Sequence, residues 1–345
     1  MAALEGAEAV GWDKCCECFA GSLAVVMRYL GEDITDDYAM GITGAAFKTL
    51  WGMPWFMANC AILVLGEEPI ERAFAALGYG YTYVPRSEDH EATAQAWREA
   101  IVRSIDAGRP LMARGIVGPP EACVVTGYEQ DGNVLHGWSY FQEDQTKPFR
   151  AEGWFDQCFG LILVGDRQSD PTQRAVLSGT LEWALKLART PEVLAPTDEG
   201  PLRVVLGLAA YDEFAAGLER DADFPAGDLE VLTSRLCPVA NDGIFQICCK
   251  RFAAARFLTG VAGWGLPGTD ALLEAAAAYQ QEAEVWQRAG GMVPWTGSPE
   301  QERLRIADPM LRRTLAGVVR EAKALEAEAV QHLEVAQQAL TPGGA

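Results

Sequence analysis

Apolar residues recur at helical spacing along most of this chain and crowd into short β-type runs in only one central stretch. In "DKCCECFAGSLAVVMRYLG", Leu23, Val26, Met27 and Leu30 share one helical face and Gly31 is placed to cap it, so a helix opening at Cys18 is expected. "DITDDYAMGITGAAFKTLWGMPW" mixes turn residues with aromatics and suits a second helix followed by a loop. A helix of about nine residues from Ile70, ended by Gly78, should lead into a strand over 79–84. Asp89 then stands as the N-cap of a helix that Gly108 and Pro110 terminate.

"PLMARGIVG", "EACVVTGYEQDGNVLHGWSYF" and "FGLILVGD" are rich in β-branched and aromatic residues. They predict adjacent antiparallel strands, with a hairpin turn of the Asp-Gly kind at "EQDG". After Asp166 the polar, proline-containing "RQSDPTQ" reads as a linker, and from Arg174 to Leu340 the periodicity is almost wholly helical. An α+β domain over 1–168 followed by an all-helical bundle over 174–340 is therefore expected. No fixed-period repeat is visible, and the tail "TPGGA" reads as frayed.

Length and composition narrow the function classes. With 345 residues and 49% hydrophobic residues, the chain can build two buried cores. Its formal charge of -20 argues against nucleic acid as a partner, because phosphate binding needs clustered Lys and Arg. The opening "MAALEGAEAV" lacks a basic segment of the secretory kind, and "CAILVLG" from Cys60 is too short to span a bilayer. A cytoplasmic protein without a membrane partner is expected. Nine cysteines, an odd number, suit a reducing compartment in which thiols stay free.

Three of those cysteines, Cys15, Cys16 and Cys18, precede the first helix. A helix that opens on a cysteine and closes on "YLG", followed later by "GRPLMARG" and "VVTGYEQDGNVL", resembles the papain-like cysteine peptidase architecture. It is similar in particular to the bacteriocin-leader peptidase-like group and the butirosin biosynthesis protein H N-terminal domain family, over residues 12–165. "LEWALKLARTPEV" extends the likeness to relatives with a helical C-terminal extension. The resemblance implies Cys18 as nucleophile, in the first helical turn, where free N–H groups and the helix dipole favour a thiolate. It also implies amide hydrolysis or acyl transfer on a small metabolite.

The family's histidine position, six residues before Gly127, holds Glu121 instead, and the position of its third member falls on Gly137 or Trp138. The nearby His136 should pair near Val125, roughly 13 Å along the sheet from Glu121. Several readings therefore stay open. In one, Cys18, or failing that Cys15 or Cys16, is a nucleophile with Glu121, His136 or another chain's group as base and Tyr140 or backbone N–H groups at the oxyanion. Alternatively, the fold persists without chemistry and binds a small molecule or peptide. A soft-metal site with Cys248 and Cys249, or inert core thiols, are the remaining options. Trp12, Trp51, Trp55, Trp138 and Tyr140 are candidates to line the cleft, and with Glu121 they would suit an amine-bearing ligand. No cofactor or metal is required, and the helical half is a candidate homodimer surface. His90 reads as a solvated or capping residue and His332 as a surface or packing residue.

Overall fold

A computed structural model describes residues 2–52, 55–56, 59–195, 202–293 and 299–341. The elements run β1 (Ala2–Ala3), α1 (Cys18–Tyr29), α2 (Asp36–Ile42), β2 (Leu50–Gly52), α3 (Glu68–Leu77), β3 (Tyr79–Pro85), α4 (His90–Asp106), β4 (Leu111–Arg114), β5 (Ala122–Glu129), β6 (Val134–Trp138), β7 (Phe149–Glu152) and β8 (Gly160–Arg167). After them come α5 (Gln173–Arg189), β9 (Glu192–Ala195), β10 (Leu202–Leu206), α6 (Gly207–Glu219), α7 (Leu229–Leu236), α8 (Gln246–Ala262), α9 (Thr269–Met292), α10 (Pro299–Ala307) and α11 (Pro309–Leu340). The chain is thus mixed α+β, with an antiparallel sheet in its first half and a helical C-terminal region.

Two compact units result. The first comprises Met1–Ala39 with Ile70–Pro171, and the second Met40–Pro69 with Thr172–Ala345. A single cut near residue 170 therefore describes the C-terminal boundary but not the N-terminal one. The reason is chemical. The 40–69 stretch supplies β2, which pairs with β10, and backbone acceptors that buried side chains of the helical unit require.

In the first unit the sheet order is β3-β8-β4-β5-β6-β7, with β1 beside the far end of β5. The expected antiparallel neighbours β8, β4 and β5 are present, and β1 and β7 are additions that the sequence pattern does not announce. The tip of the β5–β6 hairpin differs from a two-residue turn: Gln130, Asp131 and Gly132 all take left-handed φ values, of 50, 53 and 86°. Trp97, Ile101 and Ile105 of α4 pack on Leu111, Ala113, Cys123 and Val125. Alternation along the strands turns Met112, Val124 and Ile162 to the other face, where they are buried too. Helix α1 packs on β4 and β5 and is buried on nearly all sides, as its continuous run of small and apolar residues dictates.

In the second unit α6, α8, α9 and α11 pack around a ladder of stacked rings. Trp51 lies 4.1 Å from Phe214, and Phe214 lies 6.1 Å from Trp286 with nearly parallel planes. The periodicity after residue 174 is almost wholly helical, yet β9 and β10 form a hairpin that β2 extends into a three-stranded sheet. Val204, Val205 and Leu206 are buried there. Their β-branched run is too short to stand out beside long helical stretches. Arg312, almost fully buried, donates to the carbonyls of Leu218, Ile306 and Ala307. One guanidinium thereby satisfies the exposed carbonyl ends of α6 and α10. Replacing the wholly buried Trp97 by Ala should lower unfolding stability by about 3–5 kcal/mol, measured by urea denaturation of the full chain.

Candidate functional site

Glu17 is the N-cap of α1, with extended backbone and a carboxylate oxygen 2.6 Å from the Ala20 amide nitrogen. Cys18 is therefore the first residue of the helix, as expected. An N-terminal thiolate would draw on these same amide groups, and the Glu17 carboxylate already takes one of them. Cys18 has 0% exposure, and Cys15, Cys16 and Glu17 are buried beside it. The Cys15 thiol lies 3.5 Å from the Glu17 carbonyl oxygen. Burial pushes the Cys15 thiol up to about 12, and the nearby acids Glu17 and Asp36 add to the shift, so this sulfur stays protonated and unreactive near neutral pH.

Tyr140 closes the centre from the sheet side. Its hydroxyl is enclosed, has no partner with hydrogen-bonding geometry among the described residues, and faces the Cys15 and Cys18 thiols. Burial, followed by these thiols, Glu17 and Asp36, raises its proton affinity well above the ordinary phenol value. The ring is held by Trp12, whose indole Nε1 donates to the Tyr140 carbonyl at 3.1 Å and whose ring meets it edge-on at 4.7 Å. Gly21, one turn into α1, admits the hydroxyl: a Cβ there would overlap it.

The proposed bases are placed elsewhere in the first unit. Glu121 immediately precedes β5, half-buried, with its amide on the Pro119 carbonyl at 2.6 Å and its carbonyl accepting from Gly115 at 3.0 Å. Its neighbour Ala122 accepts a long hydrogen bond from Ser22 Oγ, 3.4 Å away, so the start of β5 lies against α1 one turn beyond Cys18. His136 is remote from that point. It pairs with Gly127 rather than near Val125, because the register shifts between Val125 and Gly127. That places it roughly 20 Å along the sheet from Glu121, six residues away at about 3.3 Å each. Its Nε2 lies 2.9 Å from Glu129 Oε1, and Glu129 also pairs with Arg150 at 3.0 Å. His136 is thus part of a half-exposed ion cluster and not of the cysteine centre. Trp138 is half-buried in β6, opposite Val124.

Trp51 and Trp55 belong to the second unit. Trp51 is a core ring on Phe214, and Trp55 donates to Asp223 at 3.0 Å under the guanidinium of Arg235. Cys248 lies in α8 of that same unit, its thiol 3.4 Å from the Ala283 carbonyl and pushed up to about 12 by burial. Among the described residues no group of three or more His, Cys, Asp or Glu side chains is arranged to hold a metal ion. Among the described residues no cysteine forms a disulfide, and no described helix is long and apolar enough to cross a membrane.

A cavity of about 360 Å³ opens instead within the second unit. Val64, Leu65, Leu187, Val193 and Leu206 form its walls together with the Trp183 ring. Its rim carries the Lys186–Glu68 ion pair at 2.7 Å, with the ammonium 5.1 Å from the Trp183 centroid. Trp183 is fixed from below by donating to the Thr43 carbonyl at 3.0 Å. No motif in the sequence marks these residues. The only signal was the i, i+3, i+4 grouping of Trp183, Lys186 and Leu187, which any amphipathic helix shows. Compared with known proteins, the chain matches no family model and no curated protein.

If Tyr140 only plugs the centre, Tyr140→Phe should leave stability unchanged or raise it by up to about 1–3 kcal/mol, the range for an unpaired buried hydroxyl. Gly21→Ala should destabilise, and the double variant should recover part of that loss. Chemical denaturation of the three variants checks both statements.

Proposed function

We propose that the protein is a non-catalytic relative of the papain-like fold that binds a small, largely apolar molecule with a polar end in the cavity of the helical unit. The observation that carries this reading is the contrast between two places. Around Cys18 there is no exposed sulfur, the helix N-terminus is occupied by Glu17, and His136 is committed to Glu129. Around Trp183 there is an apolar recess of ligand size with one ion pair at its mouth. Cysteine-dependent hydrolysis or acyl transfer needs an accessible thiolate and a base within hydrogen-bond reach, and this geometry lends that reading less support.

The ligand chemistry follows from the rim. Lys186 and Glu68 already neutralise each other, so a bound molecule must either leave the pair intact or replace one member. An amine is the better replacement. It would take Glu68 while Lys186 keeps the Trp183 face, whereas a carboxylate taking Lys186 would leave Glu68 next to a second negative charge.

Thermal shift with apolar amines, their carboxylate analogues and neutral analogues tests the proposal. Amines should stabilise most, by about 2.7 kcal/mol at a concentration one hundred times Kd. Thr190→Trp, which fills the cavity from a half-buried position, should abolish the shift while leaving the unliganded melting temperature near that of the wild type. In parallel, brief alkylation near neutral pH should reach the partly exposed Cys60, Cys237 and Cys249 before Cys15, Cys16 or Cys18. Selective labelling of Cys18 would overturn the non-catalytic reading.

A further inference from the structure

A second feature of the helical unit is independent of the ligand cavity. Arg251 of α8, Glu282 of α9 and Glu326 of α11 are all completely buried, with side-chain exposures of 0%. Arg251 Nε lies 3.1 Å from Glu282 Oε2 and 2.8 Å from Glu326 Oε2. Its remaining donors go to the Ala46 carbonyl at 2.8 Å, to the Thr49 hydroxyl, and to the Tyr211 hydroxyl of α6 at 3.0 Å. Tyr279 of α9 lies under the guanidinium, 5.3 Å from ring centroid to carbon. The Cys248 thiol of α8, held protonated by burial, is the further titratable group beside Glu282. One positive charge meets two carboxyl groups.

The hydrogen bonds distinguish the two acids. Glu282 accepts from Tyr211 Oη at 2.6 Å, from Trp286 Nε1 at 2.9 Å and from Arg251 Nε, so both its oxygens are served. On Glu326, Oε2 faces Arg251 and the Tyr211 hydroxyl at 3.2 Å, whereas Oε1 is buried and has no donor among the described residues. Glu326 nevertheless stands within hydrogen-bond reach of Glu282. Two carboxyl groups hold that distance in a dry interior when one proton lies between them.

We propose that Glu326 is kept as a neutral carboxylic acid sharing its proton with Glu282, and that this proton fastens α11 to α9 and makes the helical unit sensitive to alkali. Burial first, then the Glu282 carboxylate, act in the same direction, lifting Glu326 well above the ordinary carboxyl value against the pull of Arg251. The sign follows directly. A folded-state value raised above the unfolded one means that unfolding releases a proton. The stabilisation is complete below the ordinary carboxyl range and is lost as pH rises toward the folded value.

Urea unfolding of the full chain from mildly acidic to alkaline pH, wild type beside Glu326→Gln, tests this. Gln reproduces the neutral acid and cannot ionise. The ratio of unfolding constants, wild type over variant, should grow about tenfold per pH unit above the ordinary carboxyl range until the folded value is passed. A ratio flat with pH overturns the proposal. Infrared spectroscopy of the wild type in heavy water gives a second reading that does not depend on the Gln variant folding. A protonated-carboxyl carbonyl band should persist at neutral pH and shift in Tyr211→Phe, whose missing hydroxyl touches both acids. Absence of that band, or a band unmoved by Tyr211→Phe, would also overturn it.

Discussion

A guanidinium removed from water must find an acceptor for each of its N–H groups, and that requirement at Arg251 fixes more of this protein than any other contact. It draws α6, α9 and α11 to one point and recruits the Ala46 carbonyl and Thr49 hydroxyl from a distant part of the chain. The stacked rings of Trp51, Phe214 and Trp286 fill the space beside it. Apolar packing supplies the bulk of the stabilisation, and the buried polar cluster restricts which helix arrangement satisfies every partner.

The first unit shows the same logic applied to a cysteine centre. Cys18 opens α1, and its surroundings enclose it completely. A carboxylate caps the helix, a phenol fills the space over Gly21, and the sheet side is sealed by Trp12 against Tyr140. Each of these is a short-range packing decision. Together they bury Cys15, Cys16 and Cys18 in the interior of the first unit.

Local signals in the sequence were legible where they are local in physics. The helix at Cys18, the Asp89 cap, the Tyr79 strand and the central β4, β5 and β8 all follow from periodicity, caps and turn residues. What escaped depends on contacts distant in sequence. The sheet of β2, β9 and β10 joins residues about 150 positions apart, and Trp51 and Trp55 enter the second unit's core, which composition alone does not say. His136 was misplaced by the register shift between Val125 and Gly127, which no single strand pattern reveals. The cavity around Trp183 escaped for the same reason, since its walls come from residues 64–68, α5 and a hairpin.

The discontinuity of the second unit has a bearing on how the chain matures during synthesis. Thr49 and Arg251 are 202 positions apart, so at ordinary rates of translation roughly 10–40 s pass between the emergence of one and of the other. During that interval the Met40–Pro69 stretch, with β2 and its tryptophans, has no native partner to join. The first unit has both of its segments by Pro171. The intervening stretch gains its native partners only when the C-terminal helices follow.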